Sequence, residues 1–287
     1  MSSSKNIGQN DMEQMLRDLP DLDLTYRKSH QDVWNELSQS IDSDKEDIPL
    51  RHLSSGRIWL SLAASVVILV GVIAFMRLYS EEIVAVHGKH LATTLPDGSK
   101  VTLNAGTKVT YHPFWWILER EVTLEGEAFF EVEKGEKFEV ISSHGKTTVL
   151  GTSFNIYARN NYYQVTCYTG KVRVVSRVSG HSLDILPHEQ ASLNSDGSLR
   201  LSRLKDAGMP VSWMNNMFVF TATPIDLVLG EIERQYAVEI KTEREYSYLY
   251  TGNFTRNQPV EQVLRTVCRP YGLTFEKTDS GYLIVKK

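Results

Sequence analysis

The chain has 287 residues, with 31 Lys and Arg against 35 Asp and Glu for a net charge of −4, and 41% hydrophobic residues. That balance supplies enough apolar material for a sizeable core and argues against a nucleic-acid binder held by bulk charge, so no direct nucleic-acid contact is expected. The acidic excess is local, because up to Arg57 there are seven Lys and Arg against eleven Asp and Glu.

Residues 1–57 read as a polar tail. Asn10 followed by Glu13 has the spacing of a helix N-cap and its returning acid. Met12, Met15, Leu16 and Leu19 then recur with helical period until Pro20. A second helix is expected from Ser29, with Val33, Trp34, Leu37 and Ile41 on one face. So short a segment cannot bury either stripe alone. The tail is therefore either solvated or folds against a partner, with Met12, Leu16, Val33, Trp34 and Leu37 as candidate contacts. Its negative charge suits a basic partner, such as a protein that binds DNA.

Residues 58–76 read IWLSLAASVVILVGVIAFM, without a charge, between Arg57 and Arg77. At 1.5 Å per residue, about 20 apolar residues cross a hydrocarbon core of ~30 Å. One transmembrane helix is expected, and the acidic tail before it argues against a signal peptide. Lys45, Arg51 and Arg57 before the span outweigh Arg77 and Lys89 after it, which favours a cytoplasmic N-terminus. No second apolar span follows, which argues against a channel or transporter.

Residues 85–204 read as an all-β domain, a β-solenoid or a sandwich-like or barrel fold, with turn signals at Asp97-Gly98, Glu125-Gly126, Lys134-Gly135 and His144-Gly145. No helix is expected there. The carboxylates of TLEGEAFFEVEKGEKFEV alternate with apolar residues, as on the solvated face of strands. The cluster His112-Pro113-Phe114-Trp115-Trp116 is either buried or an exposed anchor for a partner or a membrane surface. Within VLGTSFNIYA, Gly151-Thr152 interrupts a strand-like run, where glycine weakens a strand unless a bend or close approach needs it.

Residues 215–287 contain a repeat. A shift of 35 aligns Pro224 with Pro259, Val228 with Val263, Leu229 with Leu264, Arg234 with Arg269 and Tyr236 with Tyr271. Each copy has a proline at a helix start, a helical period and then a strand, and a strand precedes each. A duplicated βαβ unit is expected, with its helices on one sheet face. Small domains of this kind bind other proteins through a sheet edge.

No metal, phosphate or nucleophile motif marks an enzyme, and neither cofactor nor metal is expected. His87 and His90 lack further ligands at useful spacing. Cys167 and Cys268 fall in regions that read as different domains, which favours buried free thiols over a disulfide.

The runs LPDGSKVTLNAGTKVTY, REVTLEGEAFFEVEKGEKFEV, TTVLGTSFNIYA, VTCYTGKVRVVS and LPHEQASL resemble the FecR family of transmembrane anti-sigma factors. The repeat is similar to the small domain that ends FecR-like proteins of the Bacteroidetes type, related to the secretin/TonB N-terminal (STN) fold. The resemblance implies a relay in the inner membrane. The periplasmic signalling domain of an outer-membrane TonB-dependent transporter meets the domains after the span, with Phe218, Phe220, Tyr250 and Phe254 as candidate contacts. The cytoplasmic tail then releases or licenses an extracytoplasmic-function sigma factor, and regulatory proteases cut the chain stepwise. Family members often carry a longer cytoplasmic domain, so the direction of control stays open. The alternative is an envelope-facing adaptor with an inert tail.

The resemblance also implies self-cleavage at Gly151-Thr152. Attack of the Thr152 hydroxyl on the Gly151 carbonyl would give an ester more labile to water than the amide. The other reading of the same pair is a bend or bulge where glycine packs closely.

Overall fold

The computed structural model describes residues 28–43, 55–204 and 209–287, in two compact units that divide between Ala64 and Ser65. In the first unit, helix α1 spans His30–Ser43. Ser29 caps it: its hydroxyl accepts from the Gln31 N–H at 3.3 Å, and its own N–H donates to the Asp32 carboxylate at 3.3 Å. This reciprocal pair fixes where the helix starts. Trp34, Leu37 and Ile41 are 68%, 51% and 59% exposed, so the expected stripe is uncovered, while Val33 is half-buried. Met12 and Leu16 lie outside the described residues.

Helix α2 spans Ser55–Leu78. Its stretch Trp59–Leu78 is 20 residues long and none of it is buried by protein. Length and composition allow one membrane crossing, as in a single-pass membrane protein.

In the second unit the chain runs from α2 into strands β1 (Glu81–Ala85), β2 (Leu91–Thr94), β3 (Lys100–Leu103), β4 (Thr107–Tyr111), β5 (Arg120–Glu131), β6 (Phe138–Ile141) and β7 (Gly145–Val149). Then come β8 (Ser153–Arg159), β9 (Tyr162–Cys167), β10 (Val172–Ser176), β11 (Ser182–Ile185), β12 (Glu189–Leu193) and β13 (Leu199–Arg203). They form a nearly closed 13-stranded sheet folded into two layers. One layer runs β1-β4-β5-β6-β7-β10-β11, the other β2-β3-β5-β8-β9-β12-β13. The ladders are antiparallel except β5 with β6, whereas a solenoid would stack its rungs in parallel.

The long strand β5 belongs to both layers and bends at Gly126, where φ is +122° and a Cβ would stand 2.6 Å from the Thr107 hydroxyl. Glu125-Gly126 is therefore a sheet-to-sheet crossing and not the expected turn. Val122, Leu124, Ala128 and Phe130 alternate into the core between the layers, where Phe130 stacks on Phe154 at 5.1 Å.

The acidic run is only partly solvated. Glu125 and Glu131 are exposed, but Glu139 is 8% exposed, with Lys146 at 2.7 Å and Lys137 at 3.1 Å, and Glu127 is 6% exposed. Both were expected to face water. The paired lysines shield one, and a second domain covers the other. Of the aromatic cluster, Trp116 is buried while Phe114 is exposed.

The C-terminal domain starts with a 3₁₀ turn at Met209–Asn215, followed by β14 (Met217–Pro224), α3 (Ile225–Tyr236), β15 (Glu239–Thr242), β16 (Leu249–Thr255), α4 (Val260–Cys268), β17 (Leu273–Lys277) and β18 (Gly281–Lys286). Pro224 and Pro259 sit at the two helix N-caps with φ of −51° and −59°. Their rings favour this geometry, and the missing N–H is not needed there. The single expected sheet is instead two small ones. β14 pairs with β16, and β18 lies between β15, parallel, and β17, antiparallel.

Phe218, Tyr250 and Phe254 are only 3–4% exposed and lie in the core of this domain, with Phe220 packed against them. They were expected to face a partner. Burial of the β14–β16 inner face against the helices turns them inward. Cys167 and Cys268 lie in the two separate cores as free thiols, and burial pushes both up to about 11.

Candidate functional site

Along β5 beyond Gly126, the residues that do not face the core point out of the second layer, and the C-terminal domain covers that outer face. Phe129 packs against the C-terminal core, and Glu127 beside it meets helix α3. The contact is a network of polar side chains. Asn104, at the β3–β4 turn, donates to Glu127 Oε2 at 2.8 Å and to Glu231 Oε1 of α3 at 3.3 Å. Gln235, one turn after Glu231, donates to Glu231 Oε1 at 2.7 Å and to Asn104 Oδ1 at 2.6 Å. Arg234 holds Glu231 Oε2 at 2.8 Å. Asn155 of β8 donates to Glu127 Oε1 at 3.0 Å.

Further polar contacts frame the network. Arg159, at the end of β8, donates to the carbonyls of Ala105 and Gly106 at 2.8 and 3.0 Å. His90 bonds the side chain of Gln235 at 3.0 Å and lies edge-on to Trp213. The Arg256 guanidinium donates to the Gly88 carbonyl, and the Gly88 N–H donates to the Arg234 carbonyl at 2.7 Å.

Two carboxylates share this buried place and behave oppositely. Burial and the neighbouring Glu231 push Glu127 up to about 7. Burial pushes Glu231 the same way, but Arg234 and Arg159 outweigh it and hold its carboxyl below the ordinary value. Burial likewise pushes His90 down. Asn155 Oδ1 is buried without a hydrogen-bond partner. Turning that amide over would present it as the acceptor a protonated Glu127 needs. Such an interface can act as a latch: it is specific, costly to break on one side only, and sensitive to one proton.

A cleft of about 330 Å³ opens beside the latch. Tyr157, Gln164 and Thr166 of the second layer face Phe220, Thr221 and Leu227 across it.

Of the residues predicted from sequence, Phe218 and Phe220 line the cleft, while Tyr250 and Phe254 lie in the C-terminal core away from it. Val33, Trp34 and Leu37 lie on α1 of the first unit. Gly151 and Thr152 form the β7–β8 connection. There Gly151 has a φ of +144° and packs against Lys134, where a Cβ would lie 2.7 Å from Lys134 Cα. Thr152 is buried, and its hydroxyl has no hydrogen-bond partner. Sequence reading missed the latch. Its signal lies in the repeat, where Glu231 and Gln235 align with Thr266 and Pro270.

The comparisons with known proteins fit this two-domain arrangement. The family model described as FecR protein matches residues 81–173, and the one described as FecR, C-terminal matches residues 217–285. Two crystal structures of a candidate anti-sigma factor from Parabacteroides distasonis, at 2.50 and 1.65 Å, are each 33% identical to this chain. The first gives a TM-score of 0.67 over 73% of this chain and 100% of its own. The second gives 0.66 over 72% and 99%. No curated protein matched. The chain belongs to the FecR family.

Proposed function

We propose that this protein is an inner-membrane anti-sigma factor, with its N-terminal segment in the cytoplasm holding an extracytoplasmic-function sigma factor. Its C-terminal domains lie in the periplasm and receive the signal of an outer-membrane TonB-dependent transporter. The observation that carries the reading is the uncovered stripe of Trp34, Leu37 and Ile41 on α1, in a chain whose structural relatives are named as candidate anti-sigma factors. An exposed amphipathic helix before a membrane span has use for a partner groove.

On the other side, an STN-like C-terminal domain would meet the transporter's signalling domain by strand addition. Among the described residues β15 and β17 each pair only with β18, which leaves an outer edge on each. Regulatory proteases would then act on the chain near the span.

The test is co-purification of the full chain with the sigma factors of its own organism. Trp34→Ala should weaken capture by about 2 kcal/mol, roughly 30-fold, as for a central aromatic anchor. Deleting residues 5–50 should abolish capture and change the transcript profile. An unchanged profile would favour an envelope adaptor with an inert tail.

A second reading concerns the Gly151-Thr152 bond. Left-handed Gly151 beside an unpaired, buried Thr152 hydroxyl favours an acyl shift from nitrogen to oxygen, followed by hydrolysis. The pieces would stay joined, because β7 pairs with β6 and β10 while β8 pairs with β5 and β9. Two bands from the wild type and one from Thr152→Ala on a denaturing gel support cleavage, and a single wild-type band ends the proposal.

A further inference from the structure

The turn at residues 112–119 follows β4 and leads into β5. It is wound tightly, with the Trp115 N–H donating to the His112 carbonyl at 3.1 Å and the Leu118 N–H to the Trp115 carbonyl at 2.9 Å. Trp116 pins it to the β core, edge-on to Tyr111 at 5.5 Å and to Phe138 at 5.9 Å. The neighbours of Trp116 point the other way. Ile117 is 96% exposed, Leu118 69% and Phe114 48%. From residue 112 to 118 the chain has no Asp, Glu, Lys or Arg. A rigid turn presenting three bare apolar side chains to water is unfavourable for an isolated soluble domain.

The position of the turn resolves this. The Phe114 ring lies 5.2 Å from Tyr79 and 5.9 Å from Phe75, which themselves are 5.6 Å apart on consecutive turns of the chain leaving α2. His112 Nδ1 donates to the Tyr79 carbonyl at 2.9 Å, so the ring also closes the end of the helix. The Arg77 guanidinium stands 5.9 Å from the centre of the Trp115 ring. Phe75 and Arg77 belong to the 20-residue apolar stretch that ends at Leu78. The turn is thus held level with the last helical turn of the span, about 6 Å of helix rise from Phe75 to Tyr79. That is the zone where aromatic rings and snorkelling arginines mark the lipid–water boundary.

We infer that residues 114–118 form a second membrane contact, in which Phe114, Ile117 and Leu118 enter the lipid interface beside the span and fix the β domain on the bilayer surface. The occupant of this patch is lipid because the patch is continuous with the lipid-facing end of α2 and carries no charge with which to choose a protein partner. The proposal rests on α2 spanning the membrane.

The test uses the full chain in phosphatidylethanolamine–phosphatidylglycerol vesicles. Ile117→Cys, Leu118→Cys, Val70→Cys and Val178→Cys are each spin-labelled. Both native cysteines are buried, so the wild-type chain supplies the labelling background. Val70 lies within the span, and Val178 is 64% exposed on the β10–β11 connection. Collision with oxygen is compared with collision with a water-soluble nickel chelate. The labels at 117 and 118 should give an oxygen-to-nickel ratio several-fold above that at 178 and approaching that at 70. A lipid-like label at 70 with water-like labels at 117 and 118 overturns the contact and leaves the span intact. A water-like label at 70 overturns both.

Discussion

Helices α3 and α4 begin on aligned prolines and bury aligned pairs, Val228 with Val263 and Leu229 with Leu264. Their outer faces differ. On α3, Glu231 and Gln235 are 7% and 0% exposed and are bonded into the β domain. On the second copy, the aligned Thr266 and Pro270 are exposed. The two copies agree on the side that builds the domain's own core and differ on the side that meets the neighbour. The core is set by an apolar period that either copy must satisfy to fold at all. No such requirement acts on the outer face, and only the α3 copy carries the latch.

The aligned arginines give the strongest test of this contrast. Arg234→Ala leaves Glu231 charged and without its partner in a buried place, which costs about 3–5 kcal/mol. Arg269 is exposed, and Arg269→Ala should stay within about 0.5 kcal/mol. Denaturant midpoints of the two variants in detergent measure the difference, and equal shifts would dissolve the asymmetry. The inner faces should show the opposite behaviour. Leu229→Ala and Leu264→Ala each remove a buried side chain at about 2–5 kcal/mol, and the two losses should match. A much larger loss at Leu229 would mean that the latch also holds the core of α3 in place.

The next effect is smaller and depends on pH. Glu127 is raised to about 7 in the folded chain, from an ordinary value of 4.5. Between those values the folded chain keeps a proton that the unfolded chain has released, so stability falls as pH rises. The contribution of Glu127 is whole below about pH 4.5 and gone above about 7, with a slope of at most about 1.4 kcal/mol per pH unit. Glu231 is lowered, so its contribution is present above 4.5 and fades as pH falls through its folded value. His90, lowered by burial, works the other way and adds stability as pH rises toward its ordinary 6.5. The test is therefore a difference: from pH 5 to 8 the stability of the wild type should fall relative to that of Glu127→Gln. An unchanged slope in that variant would place the titrating group elsewhere.

The same contrast shows what could be read from the sequence. The repeat, its helix starts and its inward residues were visible because periodicity and proline geometry are local. The span was visible for the same reason. The latch was not, because Asn104, Glu127 and Glu231 are separated by 23 and 127 residues in their bonds to Asn104, and no local pattern distinguishes them from solvated polar residues. Glu127 shares an alternating acidic strand with Glu125 and Glu131, and only the covering domain separates buried from exposed. The aromatics Phe218, Tyr250 and Phe254 failed for a related reason. Alternation identified one face of β14 and β16, but the side the helices would cover was a tertiary fact.

The mildest perturbation asks whether the outer face of α4 is idle in stability. Thr266→Glu places a carboxylate three residues before Arg269, as Glu231 stands three before Arg234. Thr266 is exposed, and its hydroxyl only donates back to the Gln262 carbonyl at 2.9 Å, a bond that adds little to the helix. An exposed pair at this spacing contributes about 0.2–0.5 kcal/mol. The variant should therefore unfold within about 0.5 kcal/mol of the wild type, and added salt should remove any gain. The result carries information because it separates two meanings of the duplication. If adding the acid changes almost nothing, a Glu–Arg pair at this spacing does little on an exposed face, and the weight of Glu231–Arg234 comes from its burial beside Asn104 and Glu127. A gain well above 1 kcal/mol would show that the pair stabilises either copy by itself, and the contrast between the two helices would then be one of degree.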